Sequence, residues 1–191
     1  MLIRYAIAPY TVENRSFSNQ SIPSEIQPFC YAVVVKATVY LETTIISYLT
    51  AKPSRDLIVA AHQQITAEWW EQVRPETDCF VSPFVLQEVS RGDSDLANKR
   101  LAAISAMPVL ALNEEVQGLA NTYFDAIDLP EKAKLDAFHL AIAVWYRMDY
   151  VLSWNCRHIA SGRVQRMLFD INARLGVPTP VLCTPEELME V

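Results

Sequence analysis

The chain has 191 residues, enough for one domain with a sizeable core, and its 51% hydrophobic and 20% charged residues exclude disordered, collagenous and low-complexity classes. Its four glycines, Gly92, Gly118, Gly162 and Gly176, fit neither the usual dinucleotide fingerprint nor a phosphate-binding P-loop. Sixteen Lys and Arg against 22 Asp and Glu leave a net charge of −6, which at face value speaks against a nucleic-acid partner, because neutralising phosphates takes cations.

Residues 1–35 mix Ser, Asn and Gln with Pro9, Pro23 and Pro28 and show no period. They read as an N-terminal arm, either disordered, a short strand-like appendage or the product of an upstream start site. Residues 36–191 read as one domain of alternating strands and helices. Residues 37–41 (ATVYL) are a β-branched run and predict a buried strand. A short helix through Ile46 and Leu49 ends near Pro53. Ser54 is placed to cap the next helix, with Leu57, Ile58, Ala61, Ile65, Trp69 and Val73 at helical spacing on its apolar face. Residues 78–82 (DCFVS) predict a second strand, and Pro83 opens a helix where its missing N–H costs nothing. Gly92 stops that helix, and Asp93 or Ser94 caps another to about Met107. Residues 108–112 (PVLAL) predict a third strand. Asn113 caps a helix with Glu114 and Glu115 in its first turn, where they suit the helix dipole.

Residues 134–147 are apolar nearly all round, which predicts a helix buried on several sides. A fourth strand is expected at 149–153, an amphipathic helix at 159–175 with Gly176 as its stop, and a fifth strand at 180–183. Thr184 and Glu187 stand at capping-box spacing. Alternating β and α units predict a mostly parallel sheet with helices on both faces, and a site at the carboxyl ends of the strands. Cys30, Cys79, Cys156 and Cys183 are scattered in apolar runs without ligand spacing and read as buried, reduced thiols. No apolar run reaches the roughly 18 residues of a membrane span. A cytoplasmic protein is expected.

The strand ends carry Glu42, then Glu88 on the helix after the second strand, Asp136 at the head of the apolar helix, and Asn155 after the fourth strand. Each alone has an ordinary explanation, respectively a loop carboxylate, a half-exposed helix acid, a dipole partner and a turn residue. Together they differ. Glu88 is flanked by Phe84, Val85, Leu86 and Val89, and Asp136 lies in the most apolar helix. A buried carboxylate needs a partner, a proton or a metal. Three carboxylates and an amide oxygen form a hard oxygen site suited to Mg²⁺ or Mn²⁺.

From about Lys36 onward the chain resembles the PIN-domain ribonucleases, in particular the VapC-like toxins of type II toxin–antitoxin systems. The stretches that carry the resemblance are VYLETTIISYL, SPFVLQEVSRGD, KLDAFHLAIAVWYRMDYVLSWN and CRHIA. The resemblance implies a three-layer α/β/α fold with a central sheet of four to five strands. It implies an Mg²⁺- or Mn²⁺-dependent endoribonuclease acting on single-stranded or structured RNA. Glu42, Glu88 and Asp136 would hold the metal, with Asn155 completing the catalytic set. Thr43, Thr44, Ser47 and Ser153 would hydrogen-bond the carboxylates or water, and Arg157 and His158 would face substrate. It also implies a homodimer and a small antitoxin that inserts near the site. Two positions depart from the family pattern. Glu42 stands where Asp is usual, in a Glu-Thr-Thr form that recurs in a subfamily, and Asn155 replaces an acid, which lowers the charge of the site. These departures motivate the alternative of a catalytically degenerate binding or regulatory module. A phosphotransfer domain is disfavoured, because it needs an Asp nucleophile where Glu42 stands.

His139, three residues after Asp136 and able to share its helix face, reads as a core histidine or one supporting the carboxylates; the Asp-x-x-His pair suggests a metal site, but no third nitrogen ligand appears. His62 reads as surface. The four tryptophans read as core, Trp154 being the one best placed to touch RNA. The charge is also uneven: residues 131–174 hold seven basic and four acidic groups, with Arg157, Arg163 and Arg166 placed for a phosphate track.

Overall fold

The computed structural model describes residues 3–5 and 34–189. Most of the expected N-terminal arm, and Cys30, lie outside the described residues. The first strand, β1 (Ile3–Tyr5), pairs antiparallel with the start of β2 (Val34–Leu41). β2 is central to a four-stranded parallel sheet: it pairs with β3 (Thr77–Phe80) on one side and β4 (Tyr150–Leu152) on the other, and β4 pairs with β5 (Val181–Cys183). Val39, Tyr40 and Leu41 are all fully buried, as a central strand covered on both faces requires. Asp149 locks the β2–β4 register from below, accepting at Oδ2 from Thr38 N at 2.9 Å and Thr38 Oγ1 at 2.8 Å.

The helices complete three layers. α1 (Thr43–Thr50) packs on α2 (Leu57–Gln72), α3 (Pro83–Val89) and α4 (Ser94–Ile104), while α5 (Glu114–Ile127) packs on α6 (Lys134–Trp145) and α7 (Gly162–Leu175). The short α8 (Pro185–Met189) closes against α2. The expected α/β architecture is therefore present. As expected, Gly176 ends α7 in the left-handed region at φ 69°, where a side chain would be strained. No helix among the described residues is long and apolar enough to cross a membrane.

Several expectations are corrected. The strand expected at 108–112 reduces to a single parallel bridge, Val81 to Val109, because the chain then turns away and the Ala111 carbonyl accepts from Tyr146 Oη at 3.0 Å. Asp56, not Ser54, caps α2, accepting from Ile58 N and Val59 N; Ser54 Oγ accepts from Asp56 N. Leu57 and Ile58, in the first turn of α2 beside its Asp56 cap, are exposed. α7 starts at Gly162, where Ser161 caps it, and α6 stops at Trp145, with Arg147 in the left-handed region at φ 54°. Trp145 is largely exposed, and so is Cys156, on the turn after β4; Cys79 and Cys183 are buried thiols as expected.

The outer edge of β5 is closed by a side chain. Gln165 on α7 accepts from Leu182 N at 2.7 Å and donates to the Pro180 carbonyl at 3.2 Å, reproducing the bonds of a neighbouring strand.

Candidate metal and catalytic site

The carboxyl ends of β2, β3 and β4 converge, and each hands over to a residue of the site. Glu42 follows β2 and is the N-cap of α1. Glutamate is an uncommon cap. Here its side chain folds back so that Oε2 accepts from Thr44 N at 3.1 Å, from Thr44 Oγ1, and from Ser153 Oγ at 2.7 Å. Glu42 is 5% exposed, and its charge faces the positive end of α1. All three donors fall on one oxygen, which leaves Oε1 for another partner. The same clasp ties strand ends together: Glu42 N donates to the Leu152 carbonyl, Trp154 N donates to Thr44 Oγ1 at 2.8 Å, and Asn155 N donates to Ser153 Oγ at 2.9 Å.

Glu88 comes from α3, which Pro83 opens as expected; Ser82, read as the end of the second strand, is its N-cap. Its Oε2 accepts from Thr43 Oγ1 and lies 3.4 Å from His139 Nε2. Burial pushes Glu88 up, but the hydrogen bonds from His139 and Thr43 and the charges of His139 and Arg91 bring it below the usual glutamate value. Asp136 occupies the first turn of α6. Burial holds it above the usual aspartate value against the opposing influence of His139, Asn155 and His158. His158 Nδ1 sits 3.0 Å from Asp136 Oδ2, and His158 N donates to Asn155 Oδ1 at 3.1 Å.

The tightest grouping differs from the expected one. Glu42, Glu88 and His139 each offer a donor atom, and these atoms all lie within 4.8 Å of one another; Asp136 stands beside them, engaged by His158. His139 is buried at 1% exposure, with Nδ1 at 2.6 Å from Tyr40 Oη, which in turn lies 2.8 Å from Ser82 Oγ. Burial lowers the His139 imidazole, but the Glu88 hydrogen bond and the charges of Glu42, Glu88 and Asp136 raise it to a net value above ordinary histidine. Tyr40 is pushed up, chiefly by burial. The sequence placed Tyr40 in a buried strand and His139 as a core histidine or one supporting the carboxylates, not as a partner of Glu88. The signal was chemical: a tyrosine inside a buried strand and a histidine inside an apolar helix both need a hydrogen-bond partner.

The remaining predicted residues fall as follows. Thr43, Thr44 and Ser153 hold the carboxylates. Ser47 is half-buried one turn along α1, with no side-chain hydrogen bond among the described residues. Arg157, two residues after Asn155, is exposed. Arg163 donates to the Ile127 carbonyl and Arg166 pairs with Asp170, so both are turned to structural partners rather than to a shared track. Trp154 is packed inside: its indole Nε1 donates to Thr66 Oγ1 at 2.7 Å and its ring stacks on His62 at 3.9 Å. His62 is accordingly half-buried, not a free surface residue.

No family model matches the chain, and no curated protein matches it. Among solved structures, the fold is similar to a chain in the crystal structure of VapBC2 from Rickettsia felis bound to a DNA fragment from their promoter. The two share 13% identity over 77% of this chain and 98% of that one, with a TM-score of 0.49.

Proposed function

We propose that this protein is a metal-dependent endoribonuclease that hydrolyses RNA phosphodiester bonds and acts as the toxin of a toxin–antitoxin pair. The observation that carries the reading is the convergence of Glu42 and Glu88, each pinned through one oxygen by hydroxyl donors, with Asp136 alongside at the same end of the sheet. Carboxylates brought this close repel one another unless a cation or a proton lies among them. The donor set fits a hard divalent ion, Mg²⁺ or Mn²⁺, held by Glu42 and Glu88 with Asp136 completing the acidic wall. Such an ion supplies Lewis acidity toward a phosphodiester and eases deprotonation of water.

The chain's own residues do the rest. Thr43, Thr44 and Ser153 fix the two glutamates so that little reorganisation is needed when substrate arrives. Asp136, held above the ordinary aspartate range by burial, is suited to exchange a proton with water or with the leaving oxygen. His158 keeps Nδ1 on Asp136, so its Nε2 is the ring atom left for a phosphate oxygen. Asn155 uses its amide oxygen on His158 N and thereby holds that histidine against Asp136. Arg157 supplies a nearby cation for the RNA backbone. A homodimer and a small antitoxin are carried by the sequence resemblance.

Incubation with single-stranded RNA and Mg²⁺ or Mn²⁺ tests the reading. Cleavage that EDTA abolishes and that Glu42→Gln and Asp136→Asn lose is expected. Absence of cleavage, or cleavage unchanged in both variants, overturns it in favour of a non-catalytic binding module, the alternative that Asn155 in an acid's position supports.

A further inference from the structure

We propose that His139 is itself a metal ligand, making this a mixed nitrogen and oxygen centre that prefers Mn²⁺ to Mg²⁺. The inference rests on the cation dependence proposed above and adds the choice of cation and a ligand outside the acidic set. His139 is the most deeply buried member of the Glu42–Glu88–His139 trio. Its Nδ1 is taken by Tyr40 Oη at 2.6 Å, which leaves Nε2 facing the carboxylates. Nε2 lies 3.4 Å from Glu88 Oε2. That is long for a charge-assisted hydrogen bond, whose usual length is about 2.7–2.9 Å. It matches the spacing of adjacent ligands around one cation, about 3.0–3.5 Å for metal–ligand bonds near 2.1 Å.

The far side of the ring is arranged as a ligand requires. Were a cation to replace the proton that Nε2 shares with Glu88, Nδ1–H would donate to Tyr40 Oη at 2.6 Å and Tyr40 O–H to Ser82 Oγ at 2.8 Å. A donor chain of this kind fixes the tautomer and orientation of a ligating imidazole. Ser82 Oγ also accepts from Val85 N at 3.4 Å as the cap of α3, the helix that carries Glu88. One chain of bonds therefore sets the position of two members of the trio. An imidazole nitrogen favours first-row transition ions, whereas Mg²⁺ keeps to oxygen and water.

Titration of the full chain with Mn²⁺, alone and in competition with Mg²⁺, followed by electron paramagnetic resonance, tests this. Bound Mn²⁺ is expected to show ¹⁴N coupling from imidazole and to bind about tenfold or more tighter than Mg²⁺. His139→Gln keeps an N–H donor for Glu88 but removes the ring nitrogen, so it should lose the coupling and most of the preference. Tyr40→Phe should keep the coupling and weaken Mn²⁺ by about tenfold. Failure to bind Mn²⁺, bound Mn²⁺ without ¹⁴N coupling, or coupling and preference that survive His139→Gln each overturn the inference. The spectrum of the unaltered chain decides the matter even if the variant does not fold. RNA cleavage in Mg²⁺ with an uncoupled Mn²⁺ spectrum sinks this inference and spares the nuclease reading; a coupled spectrum without cleavage does the reverse.

Discussion

Two carboxylate–histidine pairs stand side by side, and they are built to opposite ends. Glu88 and His139 meet at 3.4 Å, with the histidine 1% exposed and anchored behind by Tyr40 and the Glu88 side chain 24% exposed. Asp136 and His158 meet at 3.0 Å, with side chains 16% and 17% exposed, so neither is as open as Glu88. Burial raises both acids, but Glu88 also receives Thr43 and His139 and ends below its usual value, whereas Asp136 ends above its own. The difference teaches that exposure and donors act together: the more exposed Glu88, with donors from Thr43 and His139, is shifted toward its charged form, and the less exposed Asp136 toward its protonated form.

The comparison breaks most sharply in activity. Glu42→Gln and Asp136→Asn are each expected to cut RNA cleavage by at least about a hundredfold, more than loss of an outer hydrogen bond costs. Initial rates under single turnover measure this, and near-normal rates in either variant remove that acid from the chemistry. A divalent ion should then separate the pairs. Saturating Mn²⁺ is expected to raise the melting temperature by about 5–10 °C, as ligand at roughly a hundred times its Kd does for a chain of this size. Glu88→Gln should abolish most of that rise and His158→Gln should leave it. Equal effects from the two variants would erase the distinction between an ion-holding pair and a proton-exchanging pair.

Ser153→Ala, which removes one of three donors from Glu42 Oε2, should lower activity by about tenfold without changing the cleavage pattern. The smallest effect is one of sign, read without metal. Glu88, with its lowered folded value, contributes stability that is present above the unfolded glutamate value and lost as pH falls through the folded one. Asp136, with its raised value, favours the folded state most at low pH, and that contribution declines as pH rises from the unfolded aspartate value through the folded one. At pH 7, Glu88→Gln should therefore lower the melting temperature and Asp136→Asn raise it. Shifts of the same sign would show that the two acids do not differ as described.

Strand–acid–helix order was legible in the sequence because Glu42 directly follows a strand, Asp136 opens a helix and Glu88 sits on the helix that follows β3, and local pattern sets those elements. Glu42, Glu88, Asp136 and Asn155 were found this way, along with the hydroxyls that follow them. The partnership of Glu88 with His139 was not legible. They lie on different helices, and only the packing of α3 and α6 around the end of β2 brings their side chains together. Tyr40 was hidden for a related reason: in a run of β-branched and apolar residues it reads as core, and only the fold reveals that its hydroxyl meets Ser82 and His139. The strand expected at 108–112 failed because a β-rich composition does not ensure a neighbour to pair with, and Tyr146 claims the Ala111 carbonyl instead.

The amide of Gln165 bears on how copies of this chain can meet. An uncovered β5 would present Leu182 N and the Pro180 carbonyl to any extended segment, including the same strand of another molecule. With both atoms occupied, an extended segment adding to β5 would have to displace the Gln165 amide. One uncharged side chain thus takes the place of two strand partners at this edge.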